Sequence, residues 1–280
     1  MDEGARRAGR EGRAAGGTGP RAGNRHAGQV TVRAVHAPAG PRHGLARVLS
    51  KRGLCSRTQA AAWIAAGRVR VNGRLVRDPE FPVRMDVDRV DVDGAAGDAS
   101  ARHYLALNKP RGLVTTARDE KGRDTVYRCF DGAGLPWIAP VGRLDKASEG
   151  LLLFSNDPEW AAAITDPARG PHKTYHVQVD RIPDPADLAA LIAGTLRDGE
   201  HLAATRATLL RQGERNAWLE IVLDEGRNRH IRRLLEAYGI GVLRLVRVAI
   251  GPVTLDTLAK GAWRSLSAAE IEALAPVTRG

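Results

Sequence analysis

The chain has 280 residues, 43% of them hydrophobic, enough for a substantial core in one large domain or two to three smaller ones. Forty-three Lys and Arg against 32 Asp and Glu leave a net charge of +11, which favours a polyanionic partner such as nucleic acid. No apolar run approaches the roughly 18–20 residues of a membrane span, and the N-terminus lacks the apolar segment of a secretory signal. Cys55 and Cys129 are too few and too far apart in sequence for a disulfide framework or a zinc site. A soluble, cytoplasmic, metal-free monomer is therefore expected. Aromatic residues make up only 4% of the chain, which argues against a surface that binds single strands mainly by stacking.

Residues 1–42 contain nine Gly, nine Ala and eight Arg, with almost no large apolar side chains before Val30. Such a composition buries too little surface to offset chain entropy, so a disordered basic tail is expected. Residues 43–94 read as a small folded unit. Leu45, Val48 and Leu49 have helical spacing. Ser56 followed by Gln59 reads as the cap of a second helix carrying Trp63 and Ile64 inward, with Gly67 at its end. The dipeptide Asn72-Gly73 between RVRV and RLVRD is a hairpin signal. From position 43 to 77 there are eight Lys and Arg and no acid, which makes one basic face. Residues 95–100 read as a linker.

Residues 101–280 alternate strand-like runs at 104–107, 151–154, 175–179, 219–223 and 243–250 with helical stretches at 186–193 and 230–238. This pattern predicts an α+β class: a small α/β module followed by a mixed, largely antiparallel sheet. Residues 95–280 carry only about +2 of the net charge, against +5 in the tail and +4 in the middle unit. Bulk attraction to a polyanion therefore sits in the first two segments, and chemistry is the natural contribution of the third. Its most informative stretch is VGRLDKASEGLLLFSND at 141–157, where Asp145 stands just ahead of a short apolar strand. An Asp in a glycine-containing turn ordinarily caps its own backbone. The neighbouring stretches reverse that reading.

The segment LARVLSKRGLCSRTQAAAWIAAGRVRVNGRLV closely resembles the S4 RNA-binding module, including its helix–helix–hairpin order. That resemblance implies that Arg47, Lys51, Arg52, Arg57, Arg68 and Arg74 lie near RNA backbone, where contacts orient rather than specify. LNKPRGLVTT (107–116), VGRLDKASEGLLLFSND, KTYHVQV (173–179), and EGRNRHIRRLLEAYG (225–239) with LRLVRVAIGP (243–252) resemble, in order, the S4-bearing pseudouridine synthases of ribosomal RNA. The family resemblance implies that Asp145 is the catalytic carboxylate and that Arg143 helps displace the target nucleotide. It places Tyr175 against the flipped uracil, Arg232 as the partner of Asp145, and Ile231 and Leu245 in the wall of the base pocket. It implies no cofactor, and it implies ribosomal RNA as partner, with one uridine as target and the large subunit preferred over the small.

These roles make chemical sense. Converting uridine to its C-glycoside breaks the N1–C1′ bond, rotates the base and rejoins it through C5. A paired base must first be extruded, at a cost of a few kcal/mol. A buried Asp145–Arg232 pair would keep the acid ionised, because a guanidinium offsets the effect of burial. Attack at C6, attack at C1′ and elimination to a glycal all remain open. His172 and His230 are expected to be RNA-facing or structural, and Trp137 adds bulk near the catalytic loop. The competing readings are a non-catalytic RNA-binding or ribosome-assembly factor with the same fold, and a hydrolase using Asp145. The second leaves the basic module unexplained.

Overall fold

The computed structural model describes residues 41–93, 101–117, 119 and 121–275; the expected linker and nearly all of the expected tail lie outside them. Strand β1 (Arg42–Gly44) leads directly into helix α1 (Leu45–Lys51). Helix α2 (Arg57–Ala65) starts where Ser56 Oγ accepts the Gln59 N–H at 3.0 Å. Strands β2 (Val69–Val71) and β3 (Arg74–Val76) form the hairpin, turning through Asn72 and Gly73 at φ 51° and 80°. Two positive φ values are what an Asn-Gly turn supplies. Strand β4 (Pro82–Arg84) pairs with β1, and β5 (Val90–Val92) with β2. Leu45, Val48, Leu49, Ile64, Val69 and Val83 are fully buried in the core of this unit, with Trp63 packed at its edge.

The larger unit is built on one mixed sheet. In chain order its elements are β6 (Tyr104–Lys109), β7 (Ala139–Val141), β8 (Glu149–Ser155), α3 (Pro158–Thr165), β9 (Lys173–Val179) and α4 (Pro185–Ala193). The hairpin β10 (Thr195–Arg197) and β11 (Glu200–Leu202) follows, then β12 (Arg206–Gln212), β13 (Ala217–Leu223) and α5 (His230–Ala237). The chain ends with β14 (Val242–Ile250), β15 (Val253–Thr254), β16 (Trp263–Ser265) and α6 (Ala268–Leu274). The strand order is β12-β13-β9-β14-β8-β6-β16, with β7 on β8 and β15 on β14. All of these pairings are antiparallel except β14 with β8, which meet in parallel over only Val246–Glu149 and Arg247–Gly150. The α+β class is therefore the observed one.

The alternation along β9 explains how the sheet is covered. Tyr175, Val177 and Val179 are buried, and His176 and Gln178 are not. The buried set joins Leu105, Leu107, Leu152 and Phe154 in one core beneath α4 and α5. On the opposite face of β6 and β8, Ala106, Leu151 and Leu153 form a second core with Trp160 and Ile164 of α3 and Leu274 of α6. Strand β8 is buried on both faces, so it reads as an uninterrupted apolar run. No helix among the described residues is long and apolar enough to cross a membrane.

Candidate active site

Asp145 is half-buried on the loop between β7 and β8, and the stretch 107–116 holds that loop in place. Lys109, at the end of β6, is fully buried, and its Nζ donates to the carbonyls of Pro110 (3.1 Å), Asp145 (3.2 Å) and Ser148 (2.8 Å). Thr115 Oγ1 donates to Leu144 O at 2.8 Å, and Gly112 N–H donates to Lys146 O at 2.8 Å. Arg232 Nη2 donates to Ala147 O at 3.3 Å. Four separate donors thus fix residues 144–148 by their backbone, and none of these bonds uses the Asp145 carboxylate.

Three of the residues assigned to the base pocket meet in one cluster. Tyr175 on β9, Ile231 on α5 and Leu245 on β14 are 8%, 3% and 6% exposed and share a core with Leu144, the residue before Asp145. Leu245 lies opposite Val177, so Tyr175 and Leu245 project from neighbouring strands on the same face. Arg143 is exposed at the rim, free to meet a large ligand.

Arg232 differs from the expectation. Its guanidinium donates to Ala147 O and to Val242 O, and no ion pair within 4.0 Å joins it to Asp145 among the described residues. Burial and the nearby Arg229 weaken its hold on its proton, while Asp145 opposes them. Arg232 and Asp145 are therefore electrostatic neighbours across the loop rather than a hydrogen-bonded pair. The physical reason is the competing demand of the loop carbonyl, which takes one of the guanidinium's donors. Arg232 Nε is buried with no hydrogen-bond partner.

Sequence reasoning missed several supporting residues. Burial pushes Lys109 down to about 8, with Asp145 pulling in the opposite direction. Arg247 on β14, opposite Tyr175, is buried; its Nε donates to Leu151 O at 2.7 Å. Glu149, immediately after the loop, is buried and bound by Arg244 (2.5 Å) and Lys260 (2.6 Å). Burial pushes the Glu149 carboxyl up, but these two cations outweigh it and leave it below the usual range. Gly150, at φ 102°, follows; a Cβ there would sit 2.3 Å from Arg247 O, so only glycine permits β8 and β14 to meet. The available signal was the Asn108-Lys109 pair at the end of a strand that is otherwise apolar from Leu105 to Leu107. His230 is buried, and that burial pushes it below its ordinary value; His172 is exposed.

The expected RNA-facing cations of the small unit divide into two kinds. Arg47, Lys51, Arg57 and Arg74 are exposed. Arg52 donates to the carbonyls of Met85 and Asp88, and Arg68 donates to Asp93 O while stacking 5.3 Å over the Trp63 ring. The last two brace the fold, because their guanidiniums are bound to backbone carbonyls of the same unit. No group of three or more His, Cys, Asp or Glu side chains able to hold a metal ion occurs among the described residues.

Comparison with known proteins agrees with both units. The profile of the RNA pseudouridylate synthase family matches residues 103–237, and that of the S4 domain matches residues 44–88. An RNA pseudouridine synthase of Rickettsia bellii is 37% identical over 80% of this chain and 96% of its own length. Ribosomal large subunit pseudouridine synthase B of Escherichia coli K12 is 38% identical over 81% and 80%. A crystal structure of a pseudouridylate synthase superposes with a TM-score of 0.57 at 30% identity, covering 84% of this chain and all of that one.

Proposed function

Because the chain belongs to the RNA pseudouridine synthase family, we propose that it isomerises one uridine of structured ribosomal RNA, in the large subunit, with Asp145 as its catalytic carboxylate. The observation that carries this reading is the pinned loop 144–148. Lys109, Gly112, Thr115 and Arg232 immobilise its backbone and leave the carboxylate for substrate. Preorganisation of this kind avoids moving the reacting group at the moment of reaction.

The flipped uracil enters beside Tyr175, Ile231 and Leu245, an apolar surface that excludes water from the glycosidic bond. Arg143 occupies the space vacated in the RNA helix and offsets part of the cost of extrusion. Asp145 then acts as the N1–C1′ bond breaks. The base rotates, the C5–C1′ bond forms, C5 loses its proton and N1 gains one. The reaction is an isomerisation with no net change in atoms or electrons, so these residues need no co-reactant. The half-buried Arg232 guanidinium, near Asp145 and with its buried Nε unbonded, offers positive charge to the carboxylate side of the loop. The exposed cations of residues 42–93 hold the RNA through phosphate contacts, in a cytoplasmic setting where ribosomes assemble.

Mapping pseudouridines by carbodiimide-blocked reverse transcription, in rRNA from cells with and without the gene, tests the substrate. Loss of one large-subunit stop is expected. An unchanged rRNA pattern with a lost tRNA stop would overturn the substrate class and leave the chemistry standing.

A further inference from the structure

A cavity of about 700 Å³ opens between α2 of the small unit and the segment 130–138 of the larger one, within the ~300–1,000 Å³ of ligand pockets. Its walls carry Trp63, Tyr127, Phe130 and Trp137. The whole chain has 5 Trp, 4 Tyr and 3 Phe, so a third of a sparse aromatic complement converges here. None of Asp145, Tyr175, Ile231, Arg232 and Leu245 lines it, so it is separate from the catalytic pocket.

The aromatic surfaces are held in place. Trp137 stacks on Tyr127 with ring centroids 5.6 Å apart and planes 17° apart, and the Tyr127 hydroxyl donates to Ile138 O at 2.8 Å. Arg68 is fixed over Trp63. The two walls approach closely at Gly53, whose φ is 72° and where a Cβ would lie 2.3 Å from Asn156 O. A groove that stays open while its walls are this tightly braced is built to receive something flat.

Charge favours a polyanion as the occupant. Arg57 is exposed beside the lining residues Cys55 and Gln59, and Arg102 donates to Asn156 O in the wall, whereas Arg128, beside Tyr127, is paired with Asp124 at 2.6 Å. Asp131 contributes the one carboxylate among the lining residues. Gln59, exposed on α2, offers an amide that can both donate and accept. Aromatic platforms with a cationic rim take unpaired bases of single-stranded RNA, and the flanking amide can read a base edge. We propose that this groove is a second nucleobase site, which takes an unpaired base of the substrate RNA away from the target uridine, against Trp63 and Trp137. The proposal rests on RNA being the substrate, and it adds a means of choosing the modified position. Low overall aromatic content excludes an extended stacking surface but not one concentrated site.

The full-length chain and in vitro transcribed, unmodified large-subunit rRNA test it. Trp63→Leu and Trp137→Leu should each weaken RNA binding about tenfold, with the loss in KM rather than kcat and with Trp→Phe restoring most of it. Photocrosslinking of wild-type protein to a 4-thiouridine-substituted transcript should mark the peptides holding Trp63 or Trp137. Affinities within about twofold of wild type in variants that melt normally would overturn the proposal, as would crosslinks confined to other peptides. Asp145→Asn, assayed in parallel, separates the readings. Inactivity there with unaltered binding by the Trp variants overturns the groove alone, whereas failure of the wild type to bind the transcript overturns both.

Discussion

The small N-terminal unit and the large sheet both depend on arginine and lysine, but they place them differently. Around α1 and α2 most cations stay in solvent: Arg47, Lys51, Arg57 and Arg74 are all exposed, and a small apolar core holds them in position. Around the Asp145 loop the decisive cations are withdrawn from solvent and spent on carbonyl groups. Lys109 serves three, Arg247 serves Leu151, and Arg232 serves Ala147 and Val242. An exposed cation attracts RNA at long range and is screened by salt. A buried one fixes geometry and is indifferent to salt. On the proposed roles, binding and chemistry fall to different ends of one residue class.

The sharpest way to break this division is Asp145→Asn, which removes the charge proposed to react while preserving shape and the cation scaffold. Isomerisation, read by tritium release from C5-labelled transcript, should disappear while RNA affinity stays; activity within about tenfold of wild type would end the assignment. Next in size is Lys109→Met. It leaves the carbonyls of Pro110, Asp145 and Ser148 without their donor, and should cost ~2–4 kcal/mol of stability together with most of the activity. Its pH signature is specific. Burial lowers the Lys109 pKa from 10.5 to about 8, so the folded chain releases this proton before the unfolded chain does. The unfolded state binds more protons in that window, and this group's contribution to stability rises as pH increases through it. The stability gap between wild type and Lys109→Met should therefore widen between pH 8 and 10.5 in thermal melts; a constant gap would mean that the lysine is not buried.

Glu149→Gln is expected to be milder, about 1–3 kcal/mol, because its partners Arg244 and Lys260 keep part of their hydration. The Glu149 carboxyl sits below its ordinary value, so the stability it supplies is complete above pH 4.5 and is lost as pH falls through the lower folded value. The Gln variant should lack that acid-side loss in chemical denaturation at pH 3–5. Smallest are the surface cations. Arg57→Ala should lower the slope of log affinity against log salt by about one and leave the melting temperature unchanged. Arg52→Ala should do the reverse, since its guanidinium caps the carbonyls of Met85 and Asp88. Equal salt slopes for the two variants would erase the distinction between the regions.

Much of this architecture was legible before any coordinates. The runs that became β6, β8, β9, β13 and β14 announced themselves by burial pattern, and Asn72-Gly73 by its turn chemistry. Strand β12 did not, because at the sheet edge only Ala207 is buried and no alternation survives. Helix α3 is not among the helical stretches expected from the sequence, although Asp157 caps the Glu159 and Trp160 amides and Pro158 begins the helix. At the site, Asp145, Tyr175, Ile231 and Leu245 stood in motifs, whereas the roles of Lys109 and Arg247 depend on strands meeting from distant parts of the chain. The position of Arg232 was legible; its choice of a carbonyl over a carboxylate was not, since that is decided by a few ångströms of loop path.

The narrow parallel seam between β8 and β14 has a consequence for how the chain folds. On one side β6, β7 and β8, and on the other β9, β12, β13 and β14, form by antiparallel pairing. The seam joins Glu149 to Val246 and Gly150 to Arg247, partners far apart in sequence, and its loop-closure entropy must be met before those contacts can reward it. The two halves are therefore expected to form early and independently, with closure at Gly150 as the late step that sets the folding rate. Because the Asp145 loop runs directly into that seam, the last of its four backbone donors, Arg232, reaches Ala147 only when folding is nearly complete.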